Sequence, residues 1–395
     1  MTLVPEIIEN APLFRKIRRD IHAYPELGYD VHRTADLVAQ LLTDWGFEVT
    51  RGVGRTGVVA TLSHGSGHRS IGLRADMDAL PMHEANTFAH ASTVAGCMHA
   101  CGHDGHTAML LAAAHHLGSH RNFDGIVRLV FQPAEEAGGG AKAMIDDGLF
   151  ERFPMDRIFG IHNWPGLPAG VVALRKGPLM ASSSRFRIDV KGAGAHAALP
   201  HEAKDAAFVS MEIARALQGL VSREIDAIDP AVLSVTQIHA GEAFNSLPEH
   251  AWLGGTVRTL GDDALATLEA RVRKICTALS AAYDCQVALD FQRNVPATVN
   301  DAHLADWVAD VAETTFGVDQ VVRDTPPTMT AEDFSWMLQK VPGVFLFLGN
   351  GARAAPGIDG GNGCPALHSP NYDFNDAILP VGATLFVRLV ESYLA

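Results

Sequence analysis

Residues 107–131 read TAMLLAAAHHLGSHRNFDGIVRLVF, and their reading decides the fold class. Thr107–Leu117, TAMLLAAAHHL, has Thr107 near its start and Gly118 past its end, so the pattern predicts a strong helix. Gly125–Phe131 is a β-branched apolar run of the kind that forms a strand buried on both faces. Outward from this pair, Val58–Leu62, Ser70–Leu73 and Ile158–Ile161 read as further strands, and Thr34–Trp45 as a helix stopped by Gly46. Strands interleaved with helices in this way argue for a largely parallel sheet.

The pattern changes near residue 182. In Arg185–Lys191, RFRIDVK, Phe186, Ile188 and Val190 alternate with polar residues, which predicts a strand with one wet face. Asp205 is placed to cap a helix running to about Arg223; Ala231–Ile238 and Ala251–Thr259 read as strands, Asp262–Ala282 as a helix, and Cys285–Phe291 alternates again. That order, β-α-β-β-α-β, is the split βαβ or ferredoxin-like arrangement. Beyond residue 297 the first pattern resumes, with a helix over Ala302–Thr315, a buried strand at Gly343–Leu348 (GVFLFL) and a closing helix over Ala377–Tyr393. The expectation is an α/β domain made of residues 1–182 and 295–395, interrupted by a smaller α+β domain over 183–294.

Composition narrows the function classes. The 395 residues are 47% hydrophobic, which excludes intrinsic disorder. The net charge of −14 argues against binding nucleic acid or an anionic membrane, where clustered Lys and Arg drive association. No apolar stretch approaches the ~20 residues that span a bilayer. The N-terminal MTLVPEIIENAPLFRKIRRD lacks a basic segment followed by an apolar run, and the cysteines (Cys97, Cys101, Cys276, Cys285, Cys364) are odd in number. Both point to reduced thiols in the cytoplasm.

Four segments carry chemistry. The densest is Met98–His106, MHACGHDGH. A lone His there reads as part of a polar turn, but thiolate and imidazole at Cys101 and His103, around Gly102, are preferred ligands of zinc and related cations. In VFQPAEE, the adjacent Glu135 and Glu136 follow a buried strand, where one carboxylate can bind a metal and the other move a proton. His162 in FGIHNWP and His368 in CPALHSP are weak signals singly. If these strand ends and the helix start share one sheet edge, Cys101, His103, Glu136, His162 and His368 converge. Five ligands exceed the about three of a single catalytic zinc, and suit two metals with a shared ligand. In the inserted domain, His196 lies in the small-residue loop KGAGAHAALPH, Asn245 in AFNSLPE, and Arg258 in GTVRT, where it forms either a bidentate carboxylate clamp or a surface salt bridge.

These segments, together with HAYPELGYD, RADMDALP, GAKAMI, AEDFS and LHSPNYDF, resemble the M20 metallopeptidase family over nearly the whole chain, from about His22 to Phe374. Within it they resemble the amidohydrolase branch of hippurate hydrolases, indoleacetyl-amino-acid hydrolases and N-acyl-amino-acid deacylases. The resemblance implies a mostly parallel-sheet catalytic domain with an inserted ferredoxin-like lid and dimerisation domain. It implies two divalent metal ions, Mn or Zn foremost with Co or Ni also suited, on Cys101, His103, Glu136, His162 and His368. It makes Glu135 the general base, brings His196 to the partner subunit's active site as oxyanion stabiliser, and gives Asn245 and Arg258 substrate contacts. The implied partners are an N-acyl amino acid and a second copy of the chain. Other branches carry His-x-Asp where this chain has Asp76-Met77-Asp78, so these two aspartates are expected to orient ligands rather than bind metal. Two other readings exist: a hydrolase with Cys101 as nucleophile and His103 or His106 as base, which leaves QPAEE and LHSP idle, and a metal-dependent binding module, which leaves Glu135 without a task.

Overall fold

The computed structural model describes residues 2–136, 138–352 and 364–395. Its principal elements begin with α1 (Pro5–Ala23), α2 (His32–Asp44), β1 (Glu48–Val53), β2 (Gly57–His64), β3 (Ser70–Asp76), α3 (His103–Ser119), β4 (Gly125–Gln132), β5 (Arg157–Pro165) and β6 (Val172–Ala173). There follow β7 (Ser183–Lys191), α4 (Ala206–Gln218), β8 (Ala231–Ala240), β9 (His250–Thr259), α5 (Asp262–Tyr283) and β10 (Gln286–Val295). The chain closes with α6 (Ala302–Phe316), β11 (Val321–Val322), β12 (Gly343–Gly351) and α7 (Leu379–Tyr393). It forms two compact units, one of Met1–Gly177, Val299–Pro326 and Asp333–Ala395, the other of Pro178–Thr298 and Pro327–Glu332. Each has its own hydrophobic core.

The first unit is built on an eight-stranded sheet in the order β1-β2-β4-β3-β5-β12-β6-β11. Its four central strands, β4, β3, β5 and β12, run parallel, while β1, β2 and the β12–β6 pair are antiparallel. The residues of GIVRLVF are paired on both sides, with β2 and with β3, which is why this strand carries apolar residues on both faces. Helix α3 is buried almost throughout and packs on α1 and α7.

Helix α3 starts at His103, four residues before the expected Thr107. Gly102 takes a left-handed φ of +88° and turns the chain into it. Gly105 lies in the first turn of the helix, with the Phe374 ring packed against it. An added Cβ there would stand 2.2 Å from that ring. Gly105→Ala is therefore expected to lower the free energy of unfolding by about 1–3 kcal/mol through overpacking, read by chemical denaturation. Strand β5 also runs further than its apolar stretch suggests, because parallel pairing with β12 continues through Pro165. His162 consequently lies inside the strand.

The second unit holds a four-stranded antiparallel sheet in the order β8-β9-β7-β10, with α4 and α5 packed on it. This is the ferredoxin-like order expected from the β-α-β-β-α-β pattern. Asp205 caps α4, its carboxylate accepting from the Phe208 N–H at 3.0 Å. The helix expected to continue to Arg223 is divided at Gly219, with a separate short turn over Leu220–Glu224.

Candidate metal centre

Five segments of the first unit meet beyond the carboxyl ends of the parallel strands, the usual ligand position in an open α/β sheet. They are the end of β3, the turn into α3, the loop after β4, strand β5, and the loop carrying His368. Ligand atoms of Cys101, His103 and His162 lie within 4.8 Å of one another, as do those of Cys101, Glu136 and His368, and those of His103, Glu135 and Glu136. The sulfur of Cys101 belongs to two of these groups. The Cys101 Sγ to His162 Nε2 distance is 3.5 Å, and His368 Nε2 lies 3.2 Å from Glu136 Oε1.

Local hydrogen bonds aim these side chains. His103 Nδ1 donates to the Asp78 carbonyl at 2.8 Å, and His162 Nδ1 to the Asn163 carbonyl at 2.6 Å, so each ring turns Nε2 inward. The Asp78 carboxylate accepts from the backbone N–H groups of Glu135 and Glu136 at 2.9 and 3.1 Å and shapes the Glu135–Glu136 turn. The His368 N–H donates to the Ala100 carbonyl at 2.8 Å, tying its loop to the cysteine segment. Ala134 and His368 hold left-handed φ values of +53° and +62°, a strained conformation for non-glycine residues. Asp78 thus acts on the ligand candidates through hydrogen bonds, whereas the Asp76 carboxylate accepts from His106 and Arg74 and lies 3.7 Å from His103 Nε2. Asp76, His103 and His106 form a further group with ligand atoms close together. However, His106 donates from Nδ1 to Asp76 at 2.6 Å and accepts at Nε2 from the Asn163 backbone at 2.9 Å, so both its nitrogens are engaged.

The electrostatics favour cations. Burial lowers the basicity of His103, but Asp76, Asp78 and Glu136 outweigh it and hold the imidazole up at about 10. Burial, then the charges of Glu136, Glu135 and Asp76, push the Cys101 thiol well above its ordinary value. Burial and the neighbouring His106 keep His162 neutral, well below its usual range. Among the described residues, the buried His103 Nε2 has no hydrogen-bond partner. A sulfur, imidazole nitrogens and carboxylates around an unpartnered buried nitrogen fit divalent cations of the zinc or manganese type.

Behind the centre lies an ionic cluster that the sequence did not reveal. The fully buried Arg18 reaches Asp104 at 3.3 Å, Asp373 at 2.7 Å and Asp376 at 2.8 Å, and His22 bridges Asp104 at 2.9 Å and Glu84 at 3.1 Å. Burial opposes protonation of His22, but Asp104 and then Glu84 raise it from 6.5 to about 9. A raised folded-state value means stability fully present below pH 6.5 and lost as pH rises through 9. In cation-free protein, the thermal midpoint is therefore expected to fall over this window, with His103 adding in the same direction. In His22→Gln the fall should be smaller; an unchanged fall would acquit the His22–Asp104 pair.

The other candidates lie in the second unit. His196 is exposed, and a short ladder pairs it with Ser246, next to Asn245. Its Nδ1 accepts from the Ala198 N–H at 3.1 Å, so a neutral ring carries its proton on Nε2, free to donate outward. Arg258 is half-buried in β9 and, among the described residues, forms no ion pair, so the surface salt bridge is not observed. Burial lowers its basicity.

The model of peptidase family M20/M25/M40 matches residues 72–392. The chain is 41% identical to hippurate hydrolase of Campylobacter jejuni, covering 100% of both chains. It is 39% identical to IAA-amino acid hydrolase ILR1-like 4 of Arabidopsis thaliana, covering 96% of this chain and 85% of that protein. Among solved structures, the Bacillus subtilis YXEP protein, a dinuclear metal binding peptidase from the M20 family, superposes with a TM-score of 0.84 at 31% identity, covering 98% of this chain and 99% of that one.

Proposed function

We propose that this chain, which belongs to peptidase family M20/M25/M40 and within it to the amidohydrolase branch, cleaves the amide bond of N-acyl amino acids to a carboxylic acid and a free amino acid. What carries this reading is the convergence of Cys101, His103, Glu136, His162 and His368 beside the Glu135 carboxylate. The similarity to a hippurate hydrolase and an amino-acid-conjugate hydrolase supports the substrate class, and that to a dinuclear peptidase supports two cations. Cys101, His103 and His162 would hold one, Cys101, Glu136 and His368 the other, with Mn or Zn foremost and Co or Ni also suited. When bound, such cations polarise a carbonyl and bring the pKa of a water to about 7.

The chain's own groups then divide the work. Glu135 takes a proton from the attacking water and returns it to the departing amine nitrogen. His196 Nε2–H donates to the oxygen that gains charge as the carbonyl carbon becomes tetrahedral, acting on the site of the partner subunit in a homodimer. Asn245, beside it, assists, and Arg258 clamps the substrate carboxylate. On this reading residues 183–294 form the lid and dimerisation domain, residues 1–182 and 295–395 the catalytic domain, and the enzyme is cytoplasmic. No helix among the described residues is long and apolar enough to cross a membrane.

The test is hydrolysis of N-benzoylglycine, indoleacetyl conjugates and N-acetyl amino acids by chelated protein, and by the same protein reloaded with Mn, Zn, Co or Ni. Activity lost on chelation and restored by metal is expected. His196→Ala should fold normally and lose about 10²–10³ in kcat, and mixed dimers with an inactive Glu135 variant should recover activity. Chelator-resistant turnover would return Cys101 to the role of nucleophile. Two bound cations without hydrolysis would favour a binding module.

A further inference from the structure

Asn163 follows His162 in β5 and is fully buried, and each of its polar groups is hydrogen-bonded to part of the centre or to Tyr372. Its Nδ2 donates to the Cys101 carbonyl at 2.7 Å and to His106 Nε2 at 3.0 Å. Its Oδ1 accepts from the Tyr372 hydroxyl at 2.7 Å. Its backbone N–H donates to His106 Nε2 at 2.9 Å, and its carbonyl accepts from His162 Nδ1 at 2.6 Å. One residue thereby touches the cysteine turn, the first turn of α3, the His162 ring and the segment after His368.

We infer that Asn163, steadied by Tyr372, is the positioning residue that holds the cation-binding side chains of this centre in register. Three consequences of its bonds support this. Donation from His162 Nδ1 leaves the Nε2 lone pair facing Cys101 Sγ, 3.5 Å away. The two donors on His106 Nε2 fix the proton on Nδ1, where it goes to Asp76, so His106 is kept out of the ligand set. Finally, the node leaves no room at Gly102: a Cβ there would stand 2.4 Å from Asn163 Nδ2 and 2.5 Å from the Tyr372 hydroxyl. Glycine at this position, with its left-handed φ, lets the cysteine turn close over the amide. Outer groups of this kind set ligand orientation and basicity, and their loss typically weakens metal binding 10–100-fold.

The inference rests on the two-cation reading above, and cobalt tests the two separately. Co(II) binding to metal-free protein is measured by competition with a chelator and by the near-ultraviolet absorption of the cobalt–thiolate pair. Tyr372→Phe keeps the ring and removes only the hydroxyl. It should stay folded by circular dichroism, bind Co(II) about 10–100-fold more weakly and show an altered thiolate band. Asn163→Asp, which replaces the amide donor with a carboxylate oxygen facing the Cys101 carbonyl, should do more; if it does not fold, Tyr372→Phe alone decides. Leu385→Ala, a core truncation in α7 at a residue that takes no part in the node's hydrogen bonds, should lower stability yet bind Co(II) as the parent does. Parental affinity and an unchanged band in folded Tyr372→Phe would overturn the inference, as would an equal loss of affinity in Leu385→Ala. Absence of any thiolate band in the parent protein would overturn the cation reading itself.

Discussion

Glu135→Gln is expected to lower kcat for the best N-acyl amino acid by about 10²–10⁴, the range that a positioned general base contributes, while two cations remain bound per chain. The variant preserves shape. Its backbone N–H donates to Asp78 Oδ1 at 2.9 Å, a contact that does not depend on the side chain, and the oxygen that accepts from the Asp333 N–H at 3.4 Å has an equivalent in glutamine. Glu136, whose own N–H is held by the other oxygen of Asp78, keeps its position as a ligand candidate. What is removed is the ability to accept and return a proton, together with one negative charge beside Cys101. Single-turnover rates with metal content measured on the same sample give the answer. A rate near the parent's, at full metal content, would remove Glu135 as base.

Cys101→Ala is expected to drop metal content below two per chain and to lower turnover by about 10³ or more. The sulfur belongs to two groups of converging ligand atoms, so its loss weakens both. Several kcal/mol of transition-state stabilisation supplied by such cations corresponds to that factor, at tenfold per 1.36 kcal/mol. A cysteine nucleophile would also lose activity here, but its chemistry demands a thiol activated by a lowered pKa or an adjacent base. The environment of Cys101 does the reverse, since burial and the charges of Glu136, Glu135 and Asp76 push the thiol well above its usual value. The two readings separate when Cys101→Ala is titrated with metal: regained turnover at high Mn or Zn fits a weakened ligand set, and none is possible for a missing nucleophile.

Much of this was legible in the chain. Buried strands such as GIVRLVF and the alternation in RFRIDVK report their environment through period and polarity, so the smaller sheet and strands β2, β4, β3, β5 and β12 of the larger could be anticipated, whereas the short or exposed β1, β6 and β11 could not. The MHACGHDGH and QPAEE segments carry ligand chemistry in their side-chain types, and the structure brings them together with His162 and His368. Helix α1 went unread because it contains Pro12 and because its core side includes a charged residue, Arg18. The start of α3 was misplaced because Gly102 and Gly105 look like turn residues until Phe374 and Tyr372 are seen against them.

The sequence by itself therefore determined the central strands, the pattern of the inserted unit and which side chains can ligate, because periodicity and functional-group chemistry are local properties. Only the tertiary structure decided which of several histidines face inward. His106 stands three residues from His103 and looks as able to bind a cation, yet Asp76 and Asn163 engage both its nitrogens. Arg18 and Asp104, 86 residues apart, meet with both side chains fully buried. Such assignments depend on hydrogen bonds and charges between distant segments, whose strength in a buried site is set by what surrounds them and not by their neighbours along the chain.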